Sequence, residues 1–94
     1  MDDRRLLALV AQGDEGAFTV LFDRHVRAVF AFARSRLAVA ADAEDVAQAA
    51  FVLLWEKRRS LELAGESALP WLLGTVRLLA LGVGPAGAVR DQLR

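Results

Sequence analysis

One stretch of the chain concentrates groups that could bind another molecule. Between residues 42 and 56 every charged side chain is acidic. At about 100° per residue, a helix over this stretch gathers an acidic face around small residues. Its members are Asp45, Gln48, Ala49, Val52 and Glu56. The small residues leave room for a side chain from outside to lie close to the helix backbone, so the sequence predicts a binding face whose partner the residues alone do not name.

The groups needed for catalysis or metal binding are scarce. The chain has no cysteine, no tyrosine and one histidine, His25, which we expect on the surface among arginines. Asp42, Glu44 and Asp45 lack the spacing and the histidine partners of a metal site. We therefore predict a protein that is not an enzyme, with no catalytic residue, no metal site and no cofactor.

Helical periodicity predicts the elements that would position the acidic face. Apolar residues recur at helical spacing in four segments, residues 4–12, 14–37, 42–59 and 67–81. Gly13 should end the first helix, and Asp14, Asp42 and Ser67 should cap the next three. On the third helix, the core stripe should comprise Ala47, Ala50, Phe51 and Leu54. At the start of that helix, Asp42 and Glu44 are better explained by the helix dipole than by binding.

Composition limits the class of protein and its partners. Twelve basic and twelve acidic residues give no net charge, which excludes a generally basic nucleic-acid binder. Hydrophobic residues make up 55% of the chain, so we expect exposed apolar surface and a partner or self-association. The N-terminus lacks the pattern of a signal peptide, which favours the cytoplasm. Residues 68–89 are long enough to span a membrane, but Arg77, two prolines and four glycines argue against a span.

Three segments together carry a family resemblance. Asp14 to His25, Ala41 to Trp55 and Pro70 to Gly74 are similar in order and spacing to the second conserved region of extracytoplasmic-function sigma factors of bacterial RNA polymerase. The resemblance implies an all-α bundle of about four helices over residues 1–81. Beyond it, the glycines and the proline predict a Gly/Pro-broken tail, residues 82–94, whose last residues either form a short terminal helix or fray. Such domains dock on the clamp helices of the largest polymerase subunit and open the minus-ten promoter element.

The resemblance also implies roles for individual residues. Asp45 and Gln48 match positions that contact the clamp helices, and Ala49, Val52 and Glu56 adjoin them. Promoter DNA would be contacted by Arg58, Arg59, Trp71 and Arg77. Leu78 stands where the family usually has asparagine, and glycines replace a basic helical continuation, so we expect minus-ten melting to be weakened.

Two further partners remain open at this point, an anti-sigma factor and a second copy of the chain. The apolar, glycine-broken C-terminal part favours an alternative function. In that alternative, the chain is a self-associating or regulatory sigma-like module that does not initiate transcription.

Overall fold

The structure, a computed structural model, describes residues 1–83, and within them the chain forms a bundle of four helices. They are α1 (Asp3–Ala11), α2 (Glu15–Arg36), α3 (Ala40–Glu56) and α4 (Leu69–Val83). The long helix α2 packs against each of the other three, and α3 also packs against α4. The predicted small all-helical bundle is confirmed for the described residues. The predicted C-terminal tail lies, from residue 84 onward, outside them.

The core forms where the apolar stripes of the four helices meet. Leu21 and Val29 of α2, and Leu72 and Val76 of α4, are fully shielded from solvent. On α3, the predicted stripe is confirmed, since its four members are all buried: Ala47, Ala50, Phe51 and Leu54. Because this stripe faces inward, the opposite side of α3 must face solvent.

Local capping signals bound the first two helices, although α1 starts one residue earlier than predicted. Asp2 caps α1 by accepting a hydrogen bond from the Arg5 amide at 2.9 Å. Gly13 adopts a φ of 93°, which only glycine reaches without strain, and it turns the chain between α1 and α2. Asp14 then caps α2 through the Ala17 amide at 3.0 Å, as predicted. The long second helix therefore starts at a defined residue.

The predicted ends of α3 were wrong. The capping position is Val39, with no side-chain cap, whereas Asp42 lies in the first turn and is 5% exposed. The preceding alanines are strong helix formers, so the helix starts before Asp42, and an acid in the first turn remains favourable beside the helix dipole. At the other end, Lys57 is the C-terminal cap and Arg58 already belongs to the following turn. The basic residues after Glu56 thus lie outside the helix.

Helix α4 starts and ends slightly later than predicted. Ser67 lies two residues before Leu69 and accepts a hydrogen bond from its amide at 3.0 Å, so it still supports the start of the helix. The predicted end at Leu81 was wrong, because Gly82 and Val83 are helical. One glycine costs a helix only about 1 kcal/mol. Within residues 1–83, no helix combines the length and apolar composition needed to cross a membrane.

Candidate functional site

The acidic face of α3 lies on the outside of the bundle. Asp45, Gln48 and Glu56 are exposed, Val52 is 53% exposed and Ala49 is half-buried. All five therefore lie on the side of α3 that faces solvent, opposite the buried stripe. The geometry makes this face available to a partner without any rearrangement of the core.

Two hollows lie along the line where α2 and α3 meet, and we call them together the α2–α3 groove. The first has a volume of about 520 Å³ and is lined by Glu15, Phe18, Thr19, Val52 and Trp55. The second has a volume of about 290 Å³ and is lined by Phe22, Val26, Phe30, Glu44, Ala47, Gln48 and Phe51. Gln48 and Val52 of the acidic face thus reach the groove, whereas the other three members of the face do not line it.

Aromatic side chains build the floor of the α2–α3 groove. Phe18 and Trp55 pack edge to face with ring centroids 5.4 Å apart, and Phe22 lies 4.8 Å from Phe51. Such pairs stabilise one another beyond their buried area. Phe18, Phe22 and Trp55 are only half-buried, so they serve the core and still offer apolar surface. Helical spacing in the sequence marks the phenylalanines of α2 as one apolar side of a helix but does not show that they remain partly exposed.

The charged residues that line the α2–α3 groove are acidic. Glu15 lies in the first hollow and Glu44 in the second, and none of the residues lining either hollow is basic. Asp45 and Glu56 add acidic charge on the exposed side of α3. An apolar floor with an acidic rim is complementary to an amphipathic helix whose polar face is basic.

A further cavity, of about 450 Å³, lies between α1 and the chain that follows α3. We call it the α1 cavity. Its lining consists of Arg4, Leu7, Ala8, Ala11, Arg58, Arg59, Leu61, Glu62 and Leu63. It brings together two of the residues predicted to bind DNA, Arg58 and Arg59, and places Arg4 of α1 beside them. Trp71 and Arg77 lie on α4 and do not line the α1 cavity.

Arg58 and Arg59, which follow α3, differ in how many contacts their side chains make. The Arg58 guanidinium stacks 4.3 Å from the centre of the Trp55 ring, and its Nη1 donates a hydrogen bond to the Trp55 carbonyl at 2.9 Å. Its Nε atom is buried and has no hydrogen-bond partner among the described residues. Arg59 is exposed. Arg58 is therefore fixed against the end of α3, and Arg59 is better placed to reach a phosphate.

Helix α4 presents one positive charge and much apolar surface. Arg77 is exposed and is the only charged residue in the helix, while Trp71 is half-buried. Leu78 and Leu81 are 71% and 74% exposed. The exposed apolar surface predicted from composition is thus present, and part of it lies on the helix that carries Arg77.

Comparison with known proteins assigns these features to a family. The model for sigma-70 region 2 matches residues 21–83, well over half of the chain. The chain belongs to this family. Sigma-70 region 2 is a non-enzymatic transcription initiation domain that takes part in RNA polymerase binding and promoter recognition. Comparisons with curated proteins and with solved structures gave no significant match.

The region 2 match begins within α2, so α1 lies outside it, and a buried cluster connects α1 to the matched part. The Asp3 side chain is 3% exposed and accepts hydrogen bonds from Arg24 Nη1 at 2.7 Å and from the Ala68 amide at 2.7 Å. His25 Nε2 lies 2.6 Å from Asp3 Oδ2, and Ser67 Oγ lies 3.3 Å from the same atom. The carboxylate thus joins α1, α2 and the start of α4.

The expectation that His25 lies on the surface was wrong. It is 8% exposed because Asp3, which precedes it by 22 residues, gives its ring a hydrogen-bond acceptor inside the bundle. A carboxylate can only accept, so Nε2 carries the proton. Both His25 and Ser67 donate to the same carboxylate oxygen, and the cluster therefore lacks the serine–histidine contact that would activate a nucleophile.

The cluster changes how readily Asp3 takes up a proton. Burial opposes the charged form, but the hydrogen bonds from the Ala68 amide, Arg24 and His25 outweigh burial and hold the pKa of Asp3 below its ordinary value of 3.8. A carboxyl whose pKa is lower in the folded state stabilises the fold above the unfolded pKa, and this contribution disappears as the pH falls through the folded pKa.

This linkage predicts a specific pH dependence of stability for the region 2 domain. The difference in free energy of unfolding between the wild-type chain and an Asp3→Asn variant should be smaller at pH 2 than at pH 5, because it shrinks as the pH falls below 3.8. Urea titrations at a series of pH values measure it. A difference that stayed the same down to pH 2 would show that Asp3 does not titrate in this range.

Proposed function

We propose that this region 2 domain docks on the clamp helices of the largest RNA polymerase subunit through the α2–α3 groove and the adjoining acidic face of α3. The observation that carries the proposal is the aromatic floor beneath an acidic rim, into which Gln48 and Val52 reach. In this role the chain acts in the cytoplasm as part of the transcription machinery, with no cofactor.

The groove suits a helical partner for physical reasons. A helix bound in a groove places apolar side chains three or four residues apart into hollows spaced along it, and the α2–α3 groove offers two such hollows. Acidic side chains at the rim attract a basic helix and select against an acidic one. Gln48 can form hydrogen bonds with polar groups on the partner. Ala49 has a small side chain, so a partner helix can approach the backbone of α3 closely.

A charge reversal tests the docking face. Asp45→Arg should weaken binding of the chain to core RNA polymerase by about tenfold or more, because it removes an acid and places a like charge against a basic partner. Glu62→Arg is the matched control, since Glu62 is exposed and lies in the α1 cavity, away from the groove. Affinities are measured by fluorescence titration after thermal unfolding has shown that both variants fold. Equal affinities of Asp45→Arg and wild type would contradict the proposed face.

For promoter DNA, we assign the minus-ten contact to the α1 cavity together with Arg77. The cavity combines Arg58 and Arg59 for phosphates with apolar walls from Leu61 and Leu63, and these are the two requirements for holding an unstacked base. We expect opening of the duplex to be weakened, because the exposed Leu78 offers no polar group where the family usually has asparagine. An affinity for single-stranded DNA that did not fall with rising salt would contradict this assignment.

The exposed leucines of α4 favour a second candidate function, self-association without initiation. Leu78 and Leu81 lie three residues apart and so share one side of the helix. Light scattering coupled to size-exclusion chromatography separates the two functions. A stable dimer that persists in Asp45→Arg and fails to capture polymerase supports self-association, whereas a monomer that captures polymerase excludes it.

A further inference from the structure

We propose that α1 is a brace that orders the DNA-contacting loop between α3 and α4, with Asp3 and Arg4 as its positioning residues. This inference rests on the proposed DNA contact in the α1 cavity and adds to it the part of the chain that lies outside the region 2 match. We call residues 57–68 the α3–α4 loop.

Two neighbouring residues of α1 hold the second half of the α3–α4 loop. Asp3 accepts hydrogen bonds from the Ala68 amide at 2.7 Å and from Ser67 Oγ at 3.3 Å. Arg4 Nε donates a hydrogen bond to the Gly65 carbonyl at 2.9 Å. These contacts join residues more than 60 positions apart and act on three of the last four residues of the loop.

The other side of α1 is anchored firmly enough to serve as a support. Leu6, Leu7 and Val10 are buried in the core. Asp3 is also bonded to Arg24 and His25 of α2, the helix that contacts every other helix of the bundle. The residues of α1 that contact the loop are therefore held in place by the core and by α2.

The second half of the α3–α4 loop depends on contacts with its surroundings because it has no regular secondary structure of its own. After residue 60 it contains neither helix nor strand until α4 begins, and Leu61 and Leu63 are only half-buried. Those two leucines form one wall of the α1 cavity, while Arg4, Leu7 and Ala8 form the opposite wall. The shape of the cavity therefore depends on the distance at which α1 holds the loop.

Ordering the loop before DNA arrives has a thermodynamic consequence. A segment that is already fixed loses less conformational entropy on binding, so the same contacts give a higher affinity. The brace should act on DNA affinity without affecting polymerase docking, because the α2–α3 groove shares no lining residue with the α1 cavity.

Arg4→Gln, with Arg5→Gln as its control, tests the brace. Both residues are exposed on α1 and both changes remove one positive charge, but the Arg5 side chain makes no hydrogen bond to the described residues. The probes are a fluorescein-labelled single-stranded DNA 12-mer of mixed sequence, titrated over a salt series, and core RNA polymerase. Hydrogen exchange of the free chain reports the order of the loop.

Arg4→Gln should weaken DNA binding by about fivefold more than Arg5→Gln, with equal salt slopes, and should leave polymerase affinity unchanged. In the free chain, amides of residues 65–68 should exchange faster in Arg4→Gln than in Arg5→Gln.

Equal exchange in both variants overturns the brace, whether or not DNA binds. A salt slope that falls by about 0.7 in Arg4→Gln alone also overturns it, because Arg4 would then contact a phosphate directly. A wild-type chain that binds polymerase but no DNA contradicts the proposed DNA contact and leaves the exchange data to decide on the brace.

Discussion

Asparagine in place of Asp3 is expected to lower the free energy of unfolding by about 2–3 kcal/mol, since hydrogen bonds to a buried charged group contribute strongly to stability. The carboxylate accepts from Arg24, His25, Ser67 and the Ala68 amide. Asparagine offers one acceptor oxygen, and its NH₂ group would face donors that then lack a partner. The change therefore loosens contacts among α1, α2 and the start of α4 together.

Thermal unfolding followed by circular dichroism measures this effect. For a domain of this size, a loss of 2–3 kcal/mol lowers the midpoint by about 10–20 °C. Asp23→Asn is the control, because Asp23 is exposed on α2 and its side chain makes no hydrogen bond to the described residues. Equal midpoints for the Asp3 and Asp23 variants would refute the structural role of the cluster.

The sequence was sufficient to predict features that depend on local spacing. The buried stripe of α3 follows from apolar residues repeating every three or four positions, and Ala50 and Leu54 are buried as that period requires. Gly13 and Asp14 carry the local signals for a helix end and a helix start. In the structure, Gly13 adopts a positive φ after α1 and Asp14 caps α2. The start of α3 was mispredicted because an acid suits both the cap and the first turn, and the sequence does not distinguish them.

The buried cluster could not be predicted from local patterns. His25 stands among arginines in the sequence, and its burial depends on Asp3, which belongs to another helix. The contact of Arg4 with Gly65 spans 61 positions and involves a backbone carbonyl, which carries no side-chain signal. Such contacts follow from how the helices pack, and no spacing along the chain encodes them.

The α2–α3 groove could be predicted from the sequence only in part. The helical spacing of Phe18, Phe22 and Phe30 on α2 is visible in the sequence. Only the packing of α2 on α3 shows that these rings remain partly exposed beside Val52 and Gln48. The acidic face predicted from α3 alone is therefore one side of a surface that two helices build.

Site-specific photo-crosslinking tests most directly whether polymerase docks at this surface. A benzoylphenylalanine placed at Val52, which is 53% exposed beside the groove, is compared with one at Leu78, which is 71% exposed on α4. Each variant of the chain is mixed with core RNA polymerase and irradiated, and the crosslinked subunit is identified by mass spectrometry. We expect position 52 to crosslink to the clamp helices of the largest subunit and position 78 to give no crosslink to them. A crosslink to the clamp helices from position 78, with none from position 52, would contradict docking through the α2–α3 groove.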